Sequence, residues 1–206
     1  MNHLDLVTSS VVRVGDGRGF VVKGNADRLV ITAAHCLPFF PPYISFSGIE
    51  ERTYESLLGP IGTEPTVWAE CLFVDPIGDI AVLGPPDNQD LSDQYKQYYK
   101  LLDPLEPISI ADAPAQTSAW LLSLDKRWCQ CDVRHYGGPL WFSGAADGIR
   151  CGMSGSPVLL SDGSAIGIVC TASGLEALTE GGPNPRLMDN LPGWLLRAFA
   201  SHAATS

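Results

Sequence analysis

Cys151-Gly152-Met153-Ser154-Gly155-Ser156-Pro157 leads directly into the apolar run Val158-Leu159-Leu160. Glycines and small residues frame one serine in a tight turn ahead of a strand-like segment. Far upstream, Ile31-Thr32-Ala33-Ala34-His35-Cys36 ends an apolar run on a histidine, and Gly78-Asp79-Ile80-Ala81-Val82-Leu83 opens one on an aspartate. A histidine, an aspartate and a serine therefore occur in that order, each beside a strand-like run. A lone serine hydroxyl is a poor nucleophile. It needs a base for its proton, and the base needs an acid that fixes its tautomer and stabilises its charge.

Outward from these segments the chain reads as short strands and turns. Val11–Val14, Phe20–Lys23 and Leu29–Thr32 are predicted strands, with turns at Gly15–Gly19 and Gly24–Asp27. A short helical turn is expected over Ala33–Cys36, which Pro38, Pro41 and Pro42 cannot continue. Val67–Val74 and Asp79–Leu83 are further strands, and Pro85-Pro86 ends the second. Residues 87–103, polar with three tyrosines, read as a loop or short helix between two halves. Beyond them Ala119–Leu124, Trp128–Arg134 and Leu140–Phe142 read as strands. Val158–Leu160 and Ala165–Cys170 form a hairpin across Ser161–Ser164. Leu191–Phe199 is the best helix, with Pro192 in its first turn. Gly15-Asp16-Gly17-Arg18-Gly19 lies between two strands rather than ahead of a helix, so it is a hairpin turn and not a nucleotide-binding loop.

Composition fits this reading. The 206 residues are 45% hydrophobic and 17% charged, enough for a real core, and the 21 Gly and 16 Pro are scattered as in a turn-rich β protein. A net charge of −10 with 13 Lys+Arg leaves no basic footprint for nucleic acid. No apolar run approaches membrane-spanning length. The opening Met1-Asn2-His3-Leu4-Asp5-Leu6 lacks the basic and apolar regions of a secretory signal, so a cytoplasmic location is expected. In that compartment Cys36, Cys71, Cys129, Cys131, Cys151 and Cys170 would be reduced structural thiols. Cys129-Gln130-Cys131 has the wrong spacing for zinc, and no metal site is expected.

The residues suggest roles. Ser154 is the candidate nucleophile, His35 the base and Asp79 the acid. Asp75, before Pro76, is a rival acid that reads as a turn residue. His3 and His202 are near the termini, and His135 precedes the loop Tyr136-Gly137-Gly138. Gly152 can adopt torsions that turn its amide to the site, so the amides of Gly152 and Ser154 are the candidate oxyanion hole.

Thr32–Cys36, Asp79–Leu83 and Gly152–Pro157 resemble the three signature segments of the trypsin/chymotrypsin-like serine peptidases, and the His, Asp, Ser order is the one used by that clan. The resemblance covers roughly residues 7–199. It implies an all-β fold of two six-stranded Greek-key β-barrels with the triad His35, Asp79 and Ser154 between them and a C-terminal helix. Within one peptidase domain spanning 1–206, the barrels would occupy about 7–86 and 104–190, and the helix about 191–200. It implies a serine endopeptidase acting on protein or peptide substrates through an acyl-enzyme, without a cofactor. The alternative is a latent or silent protease-fold binding module. An esterase or acyltransferase using the same site ranks below both.

Departures from the family pattern carry information. Met153 stands where digestive members have an aspartate that pairs with a newly cut N-terminus, so that activation switch is not expected here. Met153 and Ser156 resemble bacterial intracellular members. Cys36 follows the base as in many relatives, and its disulfide partner would be expected at Phe20, which is no cysteine. The resemblance places the base of the primary specificity pocket at Gly148, with Ile149 to Cys151 and Cys170, Thr171, Ala172 and Ser173 as walls. With no acid at Gly148, a small or apolar residue is favoured over Lys or Arg, although Asp147, Glu176 and Glu180 are near in sequence. Cys170, Thr171 and Ala172 would form an edge for substrate backbone. Stand-alone bacterial relatives suggest an effector protease of stress or antiviral defence, with a fused or associated sensor or regulatory protein and no nucleic-acid or membrane partner.

Overall fold

The computed structural model describes residue 4 and residues 7–41, 52–87, 91–170 and 178–200. Six antiparallel strands build the first half: β1 (Val11–Val14), β2 (Gly17–Lys23), β3 (Arg28–Thr32), β4 (Thr53–Pro60), β5 (Val67–Asp75) and β6 (Ile80–Gly84). They close into a barrel in the order β1-β2-β3-β6-β5-β4. Closure pairs Val12 with Pro60 and Val14 with Leu58, so no edge is left open. Phe20, Ile31, Val82 and Leu83 of its strands are fully buried; each such side chain contributes about 1.5–3 kcal/mol.

After helix α1 (Ser92–Leu102), whose buried Tyr98 donates to the Arg28 carbonyl at 2.8 Å, a linker runs along both halves. Ile108 N–H donates to Val21 O, while Ala165 N–H donates to Ser109 O. The second half contains β7 (Gln116–Leu122), β8 (Trp128–Arg134), β9 (Leu140–Ser143), β10 (Pro157–Leu159), β11 (Ala165–Ile168) and β12 (Gly181–Asn184). Its sheet order is β11-β10-β7-β8-β9-β12. Counted from its own first strand, this is the order of the first barrel, cut between the fifth and sixth strands. The isolated bridge Gly167–Arg186 spans the cut, with Arg186 lying just past β12. Two short helices, α2 (Leu187–Asn190) and α3 (Gly193–Ala200), finish the described chain. Leu187, Leu191 and Leu195 join Leu122, Leu159 and Ile168 in the core of the first barrel, so the halves share packing. No helix among the described residues is long and apolar enough to cross a membrane.

The predicted strands are present, with instructive differences. β2 begins at Gly17 rather than Phe20, so only Gly15 and Asp16 make the turn. β4, β12 and α2 were not predicted. The helix expected over Leu191–Phe199 runs from Gly193 to Ala200, after Pro192.

Candidate active site

The first barrel presents the candidate base and the candidate acid. His35 sits on the 3-10 turn Ala34–Cys36 that follows β3, and Asp79 immediately precedes β6, the strand paired with β3. Asp79 adopts φ +53°, a left-handed conformation costing roughly 1 kcal/mol that aspartate tolerates better than most residues. That conformation aims both carboxylate oxygens at His35. Oδ1 accepts the His35 main-chain N–H at 2.9 Å, and Oδ2 meets Nδ1 at 2.7 Å. A carboxylate only accepts, so the proton is on Nδ1 and Nε2 is left as an acceptor. The Asp79 hydrogen bond raises His35 above the ordinary imidazole value, against partial burial; the Asp79 charge adds to the rise. Burial pushes the Asp79 carboxyl up, but hydrogen bonds from the His35 ring and main chain, the His35 charge and the Cys170 thiol outweigh it and hold it below the usual range. Asp75 instead caps its own turn, accepting Ile77 N–H at 2.9 Å.

The second half presents Ser154 from the loop between β9 and β10. Its carbonyl accepts Arg18 N–H from β2 at 2.7 Å and lies 3.8 Å from the Cys36 thiol, beside the residue that follows His35. Gly155 follows at φ +79°, and a Cβ there would collide with the Arg18 carbonyl and come within 2.7 Å of Thr32 Oγ1. The small residue after the serine is thus imposed by the other barrel. Ser154 is buried, at 7% exposure, whereas the His35 side chain is 47% exposed. Among the described residues no hydrogen bond joins the Ser154 hydroxyl to His35. Nucleophile–base contacts of unliganded sites commonly tighten only when substrate binds.

Arg150 to Met153 form a type II turn, closed by Met153 N–H to Arg150 O at 3.2 Å, with Gly152 at φ +86° in the position that favours glycine. The loop amides alternate in use. Those of Met153, Gly155 and Ser156 donate to Arg150, Val169 and Met153, while those of Gly152 and Ser154 have no acceptor among the described residues.

Of the expected specificity residues that are described, Gly148 and Arg150 line a cavity. Gly148 opens onto a cavity of about 460 Å³ whose other walls include Ser123, Leu124, Asp147, Arg150 and Met153. Ile149 is fully buried and bridges Leu178, so its side chain is core rather than pocket wall. Cys151 is exposed on the turn. Cys170 faces the acid, its thiol donating to the Asp79 carbonyl at 3.2 Å and its N–H to Asn184 Oδ1 at 2.7 Å. Thr171, Ala172, Ser173 and Glu176 lie outside the described residues. Asp147 is engaged by Arg127 at 3.0 Å and by the Cys129 thiol. His135 donates to Ala113 O from Nε2 at 2.9 Å and accepts Gly137 N–H, far in sequence from the triad candidates. His3 and His202 lie outside the described residues.

The cysteine opposite Cys36 would belong at Gly17, not Phe20. A Cβ on Gly17 would run into Cys36 Sγ and stand 2.7 Å from Ser154 O. The earlier start of β2 produces this three-residue correction. The six cysteines form no disulfides among the described residues, and burial pushes the Cys36 thiol up to about 11.

Solved structures share this arrangement of strands. The fold is that of the chymotrypsin-like serine proteases. An astrovirus serine protease, from a human pathogenic virus, is 18% identical at a TM-score of 0.50, covering 90% of this chain and 94% of that one. The Rv3671c protease of M. tuberculosis H37Rv, in an inactive form, is 16% identical at 0.55, covering 97% and 91%. A glutamic acid-specific serine protease described as using a histidine triad in substrate binding is 14% identical at 0.54, covering 90% and 96%. No protein-family model matches the sequence, and no curated protein does.

Proposed function

We propose that the chain is a serine endopeptidase with Ser154 as nucleophile, His35 as base and Asp79 as its orienting acid. The observation that carries this reading is the double grip of Asp79 on His35, which leaves Nε2 unprotonated on the turn whose next residue, Cys36, lies 3.8 Å from Ser154 O. His35 Nε2 takes the Ser154 proton as Oγ attacks the substrate carbonyl. The amides of Gly152 and Ser154 donate to the resulting oxyanion, a contribution of about 10²–10³ per donor in comparable sites. His35 then protonates the leaving amine, and water, activated by the same base, releases the acyl group from Ser154. Raising the His35 pKa makes it a stronger base, at the expense of needing a higher pH to be neutral.

Trypsin-like selection of Lys or Arg is not part of the proposal. Gly148 brings no carboxylate, and Asp147 is already engaged by Arg127 and Cys129, which favours small or apolar side chains. For the setting, we infer a cytoplasmic bacterial effector protease of stress or antiviral defence, regulated by a fused or associated sensor; its support is the family resemblance of the Met153 and Ser156 segment. A latent or silent binding module is the second reading, favoured by the missing Ser154–His35 bond. Fluorophosphonate labelling separates the two. Labelling of the wild type that disappears in Ser154→Ala supports the peptidase. A wild type that stays unlabelled sinks it as an assembled enzyme.

A further inference from the structure

Arg18 is a buried cation with no acidic partner among the described residues. It is 4% exposed, and its guanidinium makes no ion pair among the described residues. Instead Nη1 donates to Leu122 O at 2.8 Å and to Ser123 O at 3.1 Å, and Nη2 donates to Ser123 O at 3.1 Å. These acceptors belong to the other barrel, where β7 ends and the β7–β8 turn begins. Burial lowers the guanidinium to about 10, so it is still charged at neutral pH. A buried charge held only by carbonyls is a poor device for stability, since an apolar residue of similar volume commonly does as well. What it supplies is fixed geometry: a planar donor fork that locks two carbonyls in place.

The locked segment covers the oxyanion turn. Ser123 O also accepts Lys126 N–H at 3.1 Å, and Ser123 N–H donates to Arg127 O at 2.9 Å, which sets the path of residues 123–127. That path places Leu124 against Gly152; Leu124 Cδ2 lies 3.5 Å from where a Gly152 Cβ would stand. Lys126 Nζ ties the same turn to Ile61 O of the first barrel at 3.0 Å. Meanwhile the main chain of Arg18 grips the nucleophile segment, its N–H on Ser154 O and its carbonyl against Gly155. Met153, buried behind the turn at 2% exposure, is apolar and offers no charge to fix the loop.

We propose that Arg18 is a positioning residue for the oxyanion turn, holding the Ser154 loop with its main chain and the cover of Gly152 with its side chain. It acts through other residues and touches no reacting atom. A type II turn and its type I alternative differ by a flip of the central peptide, here Cys151–Gly152, and that flip carries the Gly152 N–H with it. Loosening Leu124 releases the packing that opposes the flip.

The inference rests on the peptidase reading, and its test is chosen so that the two can fail separately. Arg18→Met and Arg18→Lys are compared with wild type for thermal unfolding, the rate of fluorophosphonate labelling of Ser154, and hydrogen exchange of residues 150–156. Arg18→Met is expected to fold, to label about 10–100-fold more slowly, within the loss set by one misplaced oxyanion donor, and to exchange faster over 150–156. On a cleavable peptide the loss should fall on kcat rather than KM, and Arg18→Lys should recover part of it. A folded Arg18→Met with wild-type labelling and wild-type exchange overturns the proposal. If the wild type itself is not labelled, the peptidase reading falls, while exchange over 150–156 still decides the role of Arg18. If Arg18→Met does not fold, Leu124→Ala removes only the cover; faster exchange and slower labelling there support the proposal, and wild-type behaviour refutes it.

Discussion

In the first barrel the ring is closed by a strand pair, β1 with β4, in which Val12, Arg13 and Val14 meet Pro60, Gly59 and Leu58. In the second, the same strand order is an open sheet whose ends, β11 and β12, meet among the described residues only through the bridge Gly167–Arg186, just past β12. The candidate site divides along this difference. The first barrel contributes His35 and Asp79 from beside two paired strands, β3 and β6, buried along nearly all their length. The second contributes Ser154 and the Gly152 turn from a loop, and much of what holds that loop comes from the first barrel: Arg18 N–H, Gly17 and the Cys36 thiol. One barrel acts as the frame, and the other is fitted to it at the junction.

The sharpest way to break this division is at the acid. Asp79→Asn should leave the barrel folded and cut kcat/KM on a cleaved peptide roughly 10⁴-fold, because an amide can favour the wrong tautomer of His35. Asp75→Asn is the matched control, since Asp75 only caps its own turn, and it should leave kcat/KM unchanged. Equal losses in the two variants would mean that the grip of Asp79 on His35 is structural rather than chemical.

Next in size is the junction itself. Gly155→Ala puts a Cβ into the Arg18 carbonyl at φ +79°, so the two barrels must part or the loop must move; about 3 kcal/mol or more is expected, read as a fall in denaturant midpoint. Gly137→Ala imposes similar torsional strain at φ +78° with nothing within 4 Å, and should cost only about 1 kcal/mol. Comparable losses at both positions would show that strain, not fit between the barrels, dominates at Gly155.

What the sequence made legible follows the same division. Ten of the twelve described strands have alternating or continuous apolar runs, and the three segments around His35, Asp79 and Ser154 suggest their roles through local residue choice. β4 escaped notice because Ser56, at φ +50°, sits in an irregular register between Tyr54 and Leu58 and breaks the alternation. β12 is Gly-Gly-Pro-Asn, turn residues made into a strand only by pairing with β9. In sequence Gly17-Arg18-Gly19 reads as a turn, because glycine usually signals one. Here Gly17 is needed for close approach to Cys36 and Ser154, and Gly19 for approach to Val14 and Val30. A single arginine between two glycines has no periodic partner, so only the folded chain reveals that its acceptors lie 104 and 105 residues away.

The frame also makes a prediction about pH. Asp79 raises His35, and a base works only when neutral, so activity should climb with pH through a midpoint above the ordinary value of about 6.5. NMR titration of the His35 ring measures that midpoint in the inactive Ser154→Ala background. Adding Asp79→Asn removes the charge and with it the charge-assisted hydrogen bond, so the midpoint should move down. A titration that stays in place would mean that Asp79 does not hold the ring in solution.

The smallest effect tests closure directly and involves no catalysis. A sheet whose ends meet in one bridge among the described residues should open locally at a lower free energy than a ring sealed by a strand pair, because fewer hydrogen bonds are lost together. Native-state hydrogen exchange should therefore find the amides of Gly181 and Asn184, in β12, less protected than those of Leu58 and Gly59, in β4. Both strands lie where the ends of their own sheet meet, so sequence order and exposure of a chain end do not bias the comparison. If β4 opens as readily as β12, the first barrel is no stiffer than the second, and the fixed geometry of His35 and Asp79 must be credited to their mutual hydrogen bonds rather than to the barrel beneath them.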